Sequence, residues 1–498
     1  MHEIELKLQV PVARRAAVDT AVAGRAPAPR LRLQAAYHDT AERALAAAGL
    51  ALRLRREGRQ WVQTLKGAGD DGMTRAEHNV PRGVAAAMPP IEPALHAGTE
   101  VGDRLLALLG ADPALRTLYR TDIRRRTRAL PVRAPGLPAS RVELAFDLGR
   151  IVAGDRAIAV CELEIELLGG ASRAVIDTAR RWLLRFGLWL DGRSKAERGD
   201  LLARGETMAP ARLAAPVHLE AAMAAVAAWQ AVLRNCAAQI LANASQIASG
   251  EHAADHVHQL RVGLRRLRSA FALFEIDDAT LTDAAATLFR RLGAARDGAV
   301  IEAEFGAPLG AAMRSAGLVE APQPAAFVGA DAGEPPVAVL RDAGSQVLLL
   351  DLLAAMHAEP AAAADDRPLH ERLGARLNRW HRQLAADAQR YAELDDAARH
   401  RLRKRAKRLR YAAEFCGALY RKRAVRRYLT ALRALQERLG AVSDVLMAIA
   451  AFAPRATTDA RAMFALGWLA ARRDTLIDAA APELKAFAKV ERFWKPER

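Results

Sequence analysis

The amino-acid sequence predicts a multi-domain α+β protein, in which a strand-rich N-terminal domain is followed by an all-α C-terminal domain. The first observation is length, because 498 residues exceed what one compact core usually holds. The second is a change of pattern near residue 205, from short alternating segments to long stretches with helical periodicity. The third is an ordered internal repeat within the helical part.

The N-terminal strands carry charges on one face. Segments that alternate between apolar and polar residues predict strands at 2–10, 50–56, 60–66, 141–147 and 158–168. In the first of them, Glu3, Glu5 and Lys7 share a face because residues two apart point the same way. The same spacing groups other polar side chains on their strands: Arg53 with Arg55, Thr64 with Lys66, Glu143 with Asp147, and Glu162 with Glu164 and Glu166.

These charges allow two interpretations. For a single strand, a charged face exposed to water is the simpler explanation. Taken together, however, the acids are concentrated on some strands and the bases on others, whereas a surface in water usually mixes the signs. This separation favours a site that binds a metal with one wall and phosphate with another. Mg²⁺ and Mn²⁺ prefer carboxylate oxygens, and Arg can bind phosphate in bidentate fashion.

Long helices are predicted for most of the chain beyond residue 216. Their periodicity covers 219–248, 255–275, 281–296, 342–357, 367–391, 395–419, 423–440 and 458–480. Segment 204–216, which contains Gly205, Pro210 and Pro216, predicts the linker between the domains. Segment 304–337 is rich in Gly and Pro and predicts a loose connector that interrupts the helices.

The helical part contains two copies of one unit. Each copy begins with a histidine followed by cations on the same helical face, and then by Leu-Gly and an Asp, which is Asp297 in the first copy and Asp444 in the second. The first face consists of His258, Arg261, Arg265 and Arg268, and the second of His400, Arg403, Lys407 and Arg410. Few acids lie near in sequence, so we expect these cations to be unpaired within the chain and to bind a polyanion. The histidines fit such a site or ordinary polar positions at helix starts equally well.

The composition also supports a polyanionic partner. Lys and Arg total 74 against 57 acids, a net charge of +17. A GC-rich genome that favours Arg is the alternative explanation, but it predicts scattered rather than clustered charges. The 3 cysteines lie far apart, which argues against a disulfide framework. The first residues lack the pattern of a secretory signal and no apolar run reaches membrane-spanning length, so we expect a cytoplasmic protein with no membrane partner.

An ordered set of motifs in residues 1–203 resembles the CYTH domain of the triphosphate tunnel metalloenzymes. The opening Glu3-Ile-Glu5-Leu-Lys7 is similar to the ExExK motif of that family. The later segments keep the family's order: Tyr37-His-Asp39-Thr40, Gly49-Leu-Ala51-Leu-Arg53-Leu-Arg55, Thr64-Leu-Lys66, Arg75-Ala-Glu77, Thr121-Asp-Ile-Arg-Arg125, Cys161-Glu-Leu-Glu-Ile-Glu166 and Ser194-Lys195-Ala-Glu-Arg198-Gly199. The resemblance implies an eight-stranded antiparallel β tunnel, or barrel, with flanking helices and a charged lumen. Asp200 departs from the family, in which many relatives place an aromatic residue, so the details of the last strand stay open.

The same resemblance implies roles for individual residues. Glu3, Glu5 and Lys7 are expected to be catalytic. The implied metal ligands, for Mg²⁺ or Mn²⁺, are Glu3, Glu5, Glu162 and Glu164. The implied substrate-binding cations are Lys7, Arg53, Arg55, Lys66, Arg125, Lys195 and Arg198. Further acids implied for the lumen are Glu77, Glu143 and Asp147. Glu166 also lies on the same face of its predicted strand as Glu162 and Glu164.

Residues 217–492 resemble the CHAD domain, an α-helical domain often fused behind CYTH. The resemblance is carried by the pattern from His258 to Arg268, by Lys407-Arg-Leu-Arg-Tyr411 and by Leu435-Gln-Glu-Arg-Leu439-Gly440. It implies two pseudo-symmetric helical bundles that flank a basic groove. The two cationic faces are then expected to bind inorganic polyphosphate.

The combined resemblance predicts hydrolysis of inorganic triphosphate to pyrophosphate and phosphate, with polyphosphate held by the helical domain. Two alternatives stay open: a polyphosphate-binding or targeting protein with little catalysis, and another CYTH reaction, such as thiamine triphosphate hydrolysis or adenylyl cyclisation. Tyr37 and Trp61 could contact an organic group, although each is more often a core residue. Few aromatic residues accompany the basic helices, so we expect nucleic acid to bind only nonspecifically through its backbone.

Overall fold

The computed structural model describes residues 2–25, 28–69, 71–110, 114–133, 138–293, 301–318, 334–358 and 367–495. Asp297 of the first repeat copy and residues 319–333 of the expected connector lie outside these ranges. Packing divides the chain into two compact units. The barrel unit consists of Met1–Arg212, Leu241–His256 and Leu340–Ala358, and the helical unit of Leu213–Ile240, Val257–Val339 and Glu359–Arg498.

The strands of the barrel unit form one antiparallel sheet that closes on itself. They are β1 (His2–Gln9), β2 (Arg30–Asp39), β3 (Leu50–Glu57), β4 (Gln60–Ala68), β5 (Thr74–Val84), β6 (Arg116–Val132), β7 (Ser140–Ala153), β8 (Arg156–Gly169) and β9 (Trp189–Leu190). Their order is β5-β4-β3-β2-β6-β7-β8-β1-β9, and β1 also pairs with β5. Strands β1 to β8 therefore form a closed barrel, while the short β9 pairs with the end of β1. The predicted eight-stranded antiparallel barrel is confirmed.

Parts of the outer face of this barrel are covered by α1 (Arg15–Ala23), α2 (Ala44–Ala47), α3 (Glu100–Leu109) and α4 (Arg173–Phe186). Helix α5 (Lys195–Arg204) packs instead against side chains of the lumen face. Helix α4 packs on β1 and β8, and Leu6 and Leu8 of β1 are buried on the face that points away from the lumen. Helices α2 and α3 form an apolar cluster with β3 and β4 that includes Leu52, Leu65 and Leu105. Much of the sheet is thus covered on the outside by apolar contacts.

Helix α5 packs on the barrel through β6, β7 and β8. Its first turn is fixed by a capping box, in which the Ser194 hydroxyl accepts from the Glu197 amide and the Glu197 carboxylate accepts from the Ser194 amide. Further along, Leu202 joins an apolar cluster with Tyr37 and Tyr119. The segment that the sequence suggested as a last strand is therefore a helix.

Asp200, which departs from the family pattern, lies on α5 and makes ion pairs. It pairs with Arg43 in the loop after β2, and with Arg204 one turn later at 3.1 Å. Arg43 has a positive φ of 62°, which is uncommon for a residue with a Cβ atom. The departure at Asp200 thus supplies a polar link between α5 and the neighbouring loop.

The rest of the chain is helical. Its helices are α6 (Ala225–Ser249), α7 (Ala254–Phe274), α8 (Ala279–Arg291), α9 (Ala307–Ser315), α10 (Pro336–Arg341), α11 (Ala343–Met356), α12 (Leu369–Gln389), α13 (Asp396–Cys416), α14 (Lys422–Phe452) and α15 (Ala460–Ala488). The all-α prediction is confirmed. The predicted end at residue 440 is wrong, because α14 continues to Phe452 and buries Val445 and Ala448 against α9 and α15. Residues 304–315 of the expected connector are also helical, since they belong to a π-helical turn (Glu302–Gly306) and to α9, which follows it.

Helix α11 belongs to the barrel unit although it is distant in sequence. It packs on α4, where Arg180 pairs with Asp351. The Gln346 side chain accepts a hydrogen bond of 2.7 Å from the Leu190 amide of β9. In the ranges that the structure describes, neither this apolar helix nor any other combines the length and the hydropathy that crossing a membrane requires.

Candidate metal and phosphate site

The charged residues of β1 point into the barrel. In the pairing of β1 with β8, Lys7 lies opposite Glu164 and Glu5 lies opposite Glu166. Residues opposite each other in an antiparallel pair share a face. Glu5 is 5% exposed and Lys7 is 6% exposed. The interpretation in which this face is exposed to water is therefore wrong.

Three carboxylates on neighbouring strands form a compact acidic group. Asp147 of β7 lies opposite Glu162 of β8, and Glu164 follows on the same face. Each offers a carboxylate oxygen, and these oxygens lie within 4.8 Å of one another. All three side chains are buried. Hard divalent cations prefer such oxygens, so the group suits Mg²⁺ or Mn²⁺.

The ammonium group of Lys195 lies among these carboxylates. Its Nζ atom is 2.7 Å from Oδ2 of Asp147 and 2.9 Å from Oε1 of Glu164, and it also pairs with Glu162. Burial alone would lower the pKa of Lys195, but the three acids outweigh burial and raise it. Lys195 is therefore positioned here as a counter-ion of the acidic group.

Two arginines contact the same carboxylates. Arg125 forms a bidentate pair with Asp147, with N–O distances of 2.7 Å, and also contacts Glu164. Arg198 pairs with Glu162. Burial opposes ionisation of Glu162, but Arg198 and Lys195 lower its pKa to about 2. Lys195 and Arg125 likewise overcome burial and hold the pKa of Glu164 well below its usual range. Both glutamates are thus charged at neutral pH, as metal ligation requires.

Glu3 belongs to a second group of side chains, with Lys66 and Glu77. Nζ of Lys66 donates to Oε2 of Glu3 at 2.7 Å and lies 2.6 Å from Oε2 of Glu77. Burial and a hydrogen bond with Glu77 raise the pKa of Glu3 to about 8. The two carboxyl groups therefore share a proton near neutral pH.

Glu5 pairs with Lys7 and lies 3.3 Å from Nε of Arg75. Sequence reasoning missed Arg75, although its alternation with Glu77 on β5 is a usable signal. Among the described residues, the compact carboxylate group contains neither Glu3 nor Glu5. It contains Asp147 instead, which the sequence analysis gives only as a further lumen acid and not as a metal ligand.

Arg53 and Arg55 line another wall of the lumen, on β3. Nη1 of Arg53 donates to the hydroxyl of Tyr37 at 3.1 Å, and Arg55 pairs with Glu57. The Nε atoms of both arginines are buried and have no hydrogen-bond partner among the described residues. Burial and the charge of Arg53, offset in part by Glu57, lower the pKa of Arg55 to about 10. Half-buried guanidinium groups with buried, unused Nε donors suit an anionic ligand.

Tyr37 and Trp61, the two aromatic candidates, have different surroundings. Tyr37 lies on the lumen side next to Arg53, and its ring stacks on Tyr119 with centroids 4.7 Å apart. Trp61 is 8% exposed, and its Nε1 atom donates to the carbonyl of Ala85 at 3.0 Å. Trp61 is therefore a core residue, whereas Tyr37 borders the site.

The first cationic face of the helical unit is only partly accessible. Arg261 is buried and donates to the carbonyls of Leu292 and Gly293, each at 3.2 Å. Arg265 is half-buried, and its guanidinium lies 5.5 Å from the ring centroid of Phe289. His258 is half-buried, and Arg268 is exposed.

The second cationic face contains intramolecular ion pairs. Arg403 lies 3.5 Å from Asp444, and Arg410 pairs with Glu414 at 2.7 Å. Lys407 is half-buried, while His400 is exposed. The expectation that these cations are unpaired is thus wrong for Arg403 and Arg410. Glu414 lies one helical turn after Arg410 on α13, whereas Asp444 of α14 reaches Arg403 only in the folded state.

Family models match both parts of the chain. Residues 1–199 match the model of the CYTH domain, and residues 231–453 match the model of the CHAD domain. The Inorganic triphosphatase of Haemophilus influenzae is 27% identical over 173 residues, which cover 33% of this chain and 44% of that protein. The chain therefore matches less than half the length of this curated relative.

Two solved structures are also similar to parts of the chain. The CHAD domain from the plant Ricinus communis is 29% identical, with a TM-score of 0.40, and the match covers 55% of this chain and 96% of that one. HpAC1 from Hippeastrum, a proposed adenylyl cyclase with a dominant triphosphatase activity, is 18% identical, with a TM-score of 0.30. That match covers 42% of this chain and 98% of HpAC1.

Proposed function

Since this chain carries a CYTH domain followed by a CHAD domain, we propose that its barrel hydrolyses inorganic triphosphate to pyrophosphate and phosphate with a divalent metal ion. We propose also that its helical domain binds inorganic polyphosphate. The observation that carries the first proposal is the separation of charge inside one barrel. A buried carboxylate group of Asp147, Glu162 and Glu164 shares the lumen with two half-buried arginines, Arg53 and Arg55, whose buried Nε donors are unused among the described residues.

The acidic group supports a metal cofactor. Asp147, Glu162 and Glu164 would hold Mg²⁺ or Mn²⁺, with Glu3 and Glu5 as the further ligands that the family resemblance implies. When bound, such an ion neutralises charge on phosphate oxygens and polarises the attacked phosphorus. In the structure Lys195 holds this position against the carboxylates. Together with Arg125 and Arg198 it balances the charge of the three carboxylates, so a metal ion that binds here would displace Lys195 from them.

The basic wall supports binding of the phosphate chain. Arg53 and Arg55 can each offer a planar pair of donors to phosphate oxygens. Lys7, Lys66, Arg125, Lys195 and Arg198 surround the rest of the lumen. Phosphoryl transfer depends mainly on such positioning and charge neutralisation, so little further chemistry is required of the protein.

The pair of Glu3 and Glu77 supports proton transfer. Their shared proton and the pKa of Glu3 near 8 allow one carboxyl to take up or release a proton at physiological pH. Hydrolysis adds water across a phosphoanhydride and needs such an exchange, from the attacking water or to the leaving phosphate. Metal binding at Glu3 would compete with that proton.

Phosphate release from inorganic triphosphate by the full-length protein tests the proposal. We expect Mg²⁺- or Mn²⁺-dependent release by the wild type, and a loss of at least tenfold in Glu3→Gln and Glu5→Gln. The exposed Glu42→Gln is a matched control that should keep full activity. Activity untouched by both lumen substitutions would contradict hydrolysis in the barrel.

A panel of substrates separates the remaining alternatives. Pyrophosphate, long-chain polyphosphate, ATP and thiamine triphosphate should each be turned over more slowly than inorganic triphosphate. Faster hydrolysis of thiamine triphosphate, or formation of cyclic AMP from ATP, would assign another CYTH reaction. No turnover of any compound, together with retained polyphosphate binding, would leave a polyphosphate-binding protein.

A further inference from the structure

The outer face of the barrel carries arginines that the lumen site does not use. On β2 and β6, Arg30 lies directly opposite Arg126, and Arg32 lies directly opposite Arg124. Like charges at directly opposite positions of an antiparallel pair destabilise the sheet. Their side chains point away from the lumen, because the alternate residue Arg125 faces inward to Asp147. We define the outer arginine face as Arg32, Arg56, Arg120, Arg124 and Arg150.

The acids near this face are too few to neutralise it. Asp122 accepts a bidentate pair from Arg32 at 2.9 and 2.6 Å. Asp19 of α1 pairs instead with Arg30 and Arg126 beside the face. Among the described residues, the exposed side chains of Arg120, Arg124 and Arg150 form no ion pair, although the charges of Arg150 and Arg124 act on Asp122 and help to lower its pKa. The face thus has a clear excess of positive charge in water.

The pairing register brings these arginines together. Asp122 lies opposite Gln34 on one side and Arg150 on the other, and Gln34 lies opposite Arg56. One row of the sheet therefore runs from Arg56 to Arg150 across four strands, about 15 Å, with Arg124 and Arg120 one step above and below it. The arrangement is a convex lattice of guanidinium groups rather than a single anion pocket.

Inorganic polyphosphate fits this lattice better than nucleic acid does. The exposed large apolar side chains of the described residues include no Phe, Tyr or Trp, so bases have nothing on which to stack. A flexible chain of phosphates needs only repeated cationic contacts and can follow a convex surface. Arginine also suits phosphate oxygens because its planar donors bind them in pairs.

We propose that the outer arginine face binds long-chain inorganic polyphosphate, as a surface separate from the lumen and from the helical domain. The choice of polyphosphate among polyanions rests on the function proposed above. The surface itself rests on the register of its arginines and on the exposure of Arg32, Arg120, Arg124 and Arg150. Binding there would keep polyphosphate chains close to the protein without entry into the barrel.

Arginine footprinting of the full-length protein tests this surface directly. Phenylglyoxal modifies accessible guanidinium groups, and mass spectrometry identifies each modified arginine. We expect long-chain polyphosphate to protect Arg120, Arg124 and Arg150, whereas inorganic triphosphate at equal total phosphate should not. Exposed Arg173, which pairs with Asp177 on α4, serves as the unprotected reference. Equal modification rates with and without long-chain polyphosphate would overturn the proposal, and so would equal protection by duplex DNA at the same phosphate concentration.

A triple variant supplies the second measurement. Arg120→Gln/Arg124→Gln/Arg150→Gln should raise, by about tenfold, the polyphosphate concentration that half-protects Arg32 and Arg56, and should weaken its salt dependence. The exposed control Arg104→Gln/Arg133→Gln/Arg173→Gln removes the same charge and should change neither quantity. Similar shifts in both variants would show a general charge effect and overturn the proposal. Footprinting does not depend on turnover, so the two proposals can fail separately. Protection of the arginines without triphosphate hydrolysis would refute only the function proposed for the lumen. Hydrolysis without protection would refute only polyphosphate binding by the outer arginine face.

Discussion

The ammonium nitrogen of Lys195 lies 2.7 Å from Oδ2 of Asp147, in the interior of the barrel. Lys195 comes from α5 and Asp147 from β7, so the contact joins a helix to the strand that faces it. Lys195 is 9% exposed and Asp147 is fully buried. The pair makes the folded state dependent on a positive charge at this position.

Lys195→Met should therefore destabilise the metal-free protein. Arg125 and Arg198 would remain, but the loss of Lys195 leaves one buried negative charge uncompensated, which costs about 3–5 kcal/mol in comparable cases. Urea unfolding in the presence of a chelator measures the change. Lys195→Arg keeps the charge and should lose less stability than Lys195→Met. Added Mn²⁺ should restore part of the stability that Lys195→Met loses. A midpoint for Lys195→Met equal to that of the wild type would show that the carboxylates do not need this cation.

Asp147→Asn should weaken metal binding. We expect the metal concentration for half-maximal phosphate release to rise by about 10–100-fold, since one charged ligand of the proposed set is lost. Titration of Mg²⁺ and Mn²⁺ in the phosphate-release assay measures it. Asp155→Asn, at an exposed position between β7 and β8, is the matched control. If both variants kept the metal dependence of the wild type, Asp147 would not be a ligand.

Arg53→Lys should lower kcat/KM for inorganic triphosphate. Lysine keeps the charge but loses the planar pair of donors, and hydrogen bonds to charged groups contribute about 1.5–3 kcal/mol, or roughly 10–100-fold. Steady-state kinetics measure the effect, with the exposed Arg59→Lys as the control. Unchanged kinetics in Arg53→Lys would place the phosphate chain elsewhere.

The stability of the helical unit should fall in mild acid because of His381. Its Nδ1 atom lies 2.9 Å from the hydroxyl of Tyr428, and burial, with the charges of Arg492 and Lys495, lowers its pKa to about 4. The unfolded chain takes up a proton near the ordinary pKa of 6.5, but the folded chain does so only near 4. The contribution of His381 to the free energy of unfolding is therefore fully present above pH 6.5. It is lost as the pH falls towards 4, which lowers the stability by up to about 3 kcal/mol.

Urea unfolding of the full-length protein across that pH range checks the decline. His381→Phe removes the titrating ring and should flatten the pH dependence between 6.5 and 4, even if its overall stability is lower. An equally steep decline in His381→Phe would assign the effect to other groups.

Arg268 and Arg261 should respond differently to the same substitution. Arg268→Gln removes an exposed cation and should weaken retention of polyphosphate, with a salt dependence reduced by about one charge. Arg261→Gln removes two hydrogen bonds to backbone carbonyls and should mainly lower stability, by about 1–3 kcal/mol. Polyphosphate pull-down at increasing salt and urea unfolding separate the two effects. Equal loss of retention in both folded variants would contradict a distinction based on burial.

Some of the candidate site could be predicted from spacing alone. The alternation of Glu3, Glu5 and Lys7 fixed their common face, because strand geometry has a period of two residues. The place of Asp147 in the carboxylate group with Glu162 and Glu164 could not be predicted, because it depends on the register between β7 and β8. The ion pair between Arg403 and Asp444 was missed for the same reason, since it joins residues on different helices.

The sequence by itself determined the division into a strand-rich and a helical part, the faces of individual strands and the resemblance of each part to the family whose model it matches. These properties follow from local periodicity and ordered motifs. Only the tertiary structure decided that the charged face of β1 is buried, that Lys195 lies among three carboxylates and that α11 packs with the barrel unit. Such contacts depend on strand register and on packing between distant segments, which local sequence patterns do not specify.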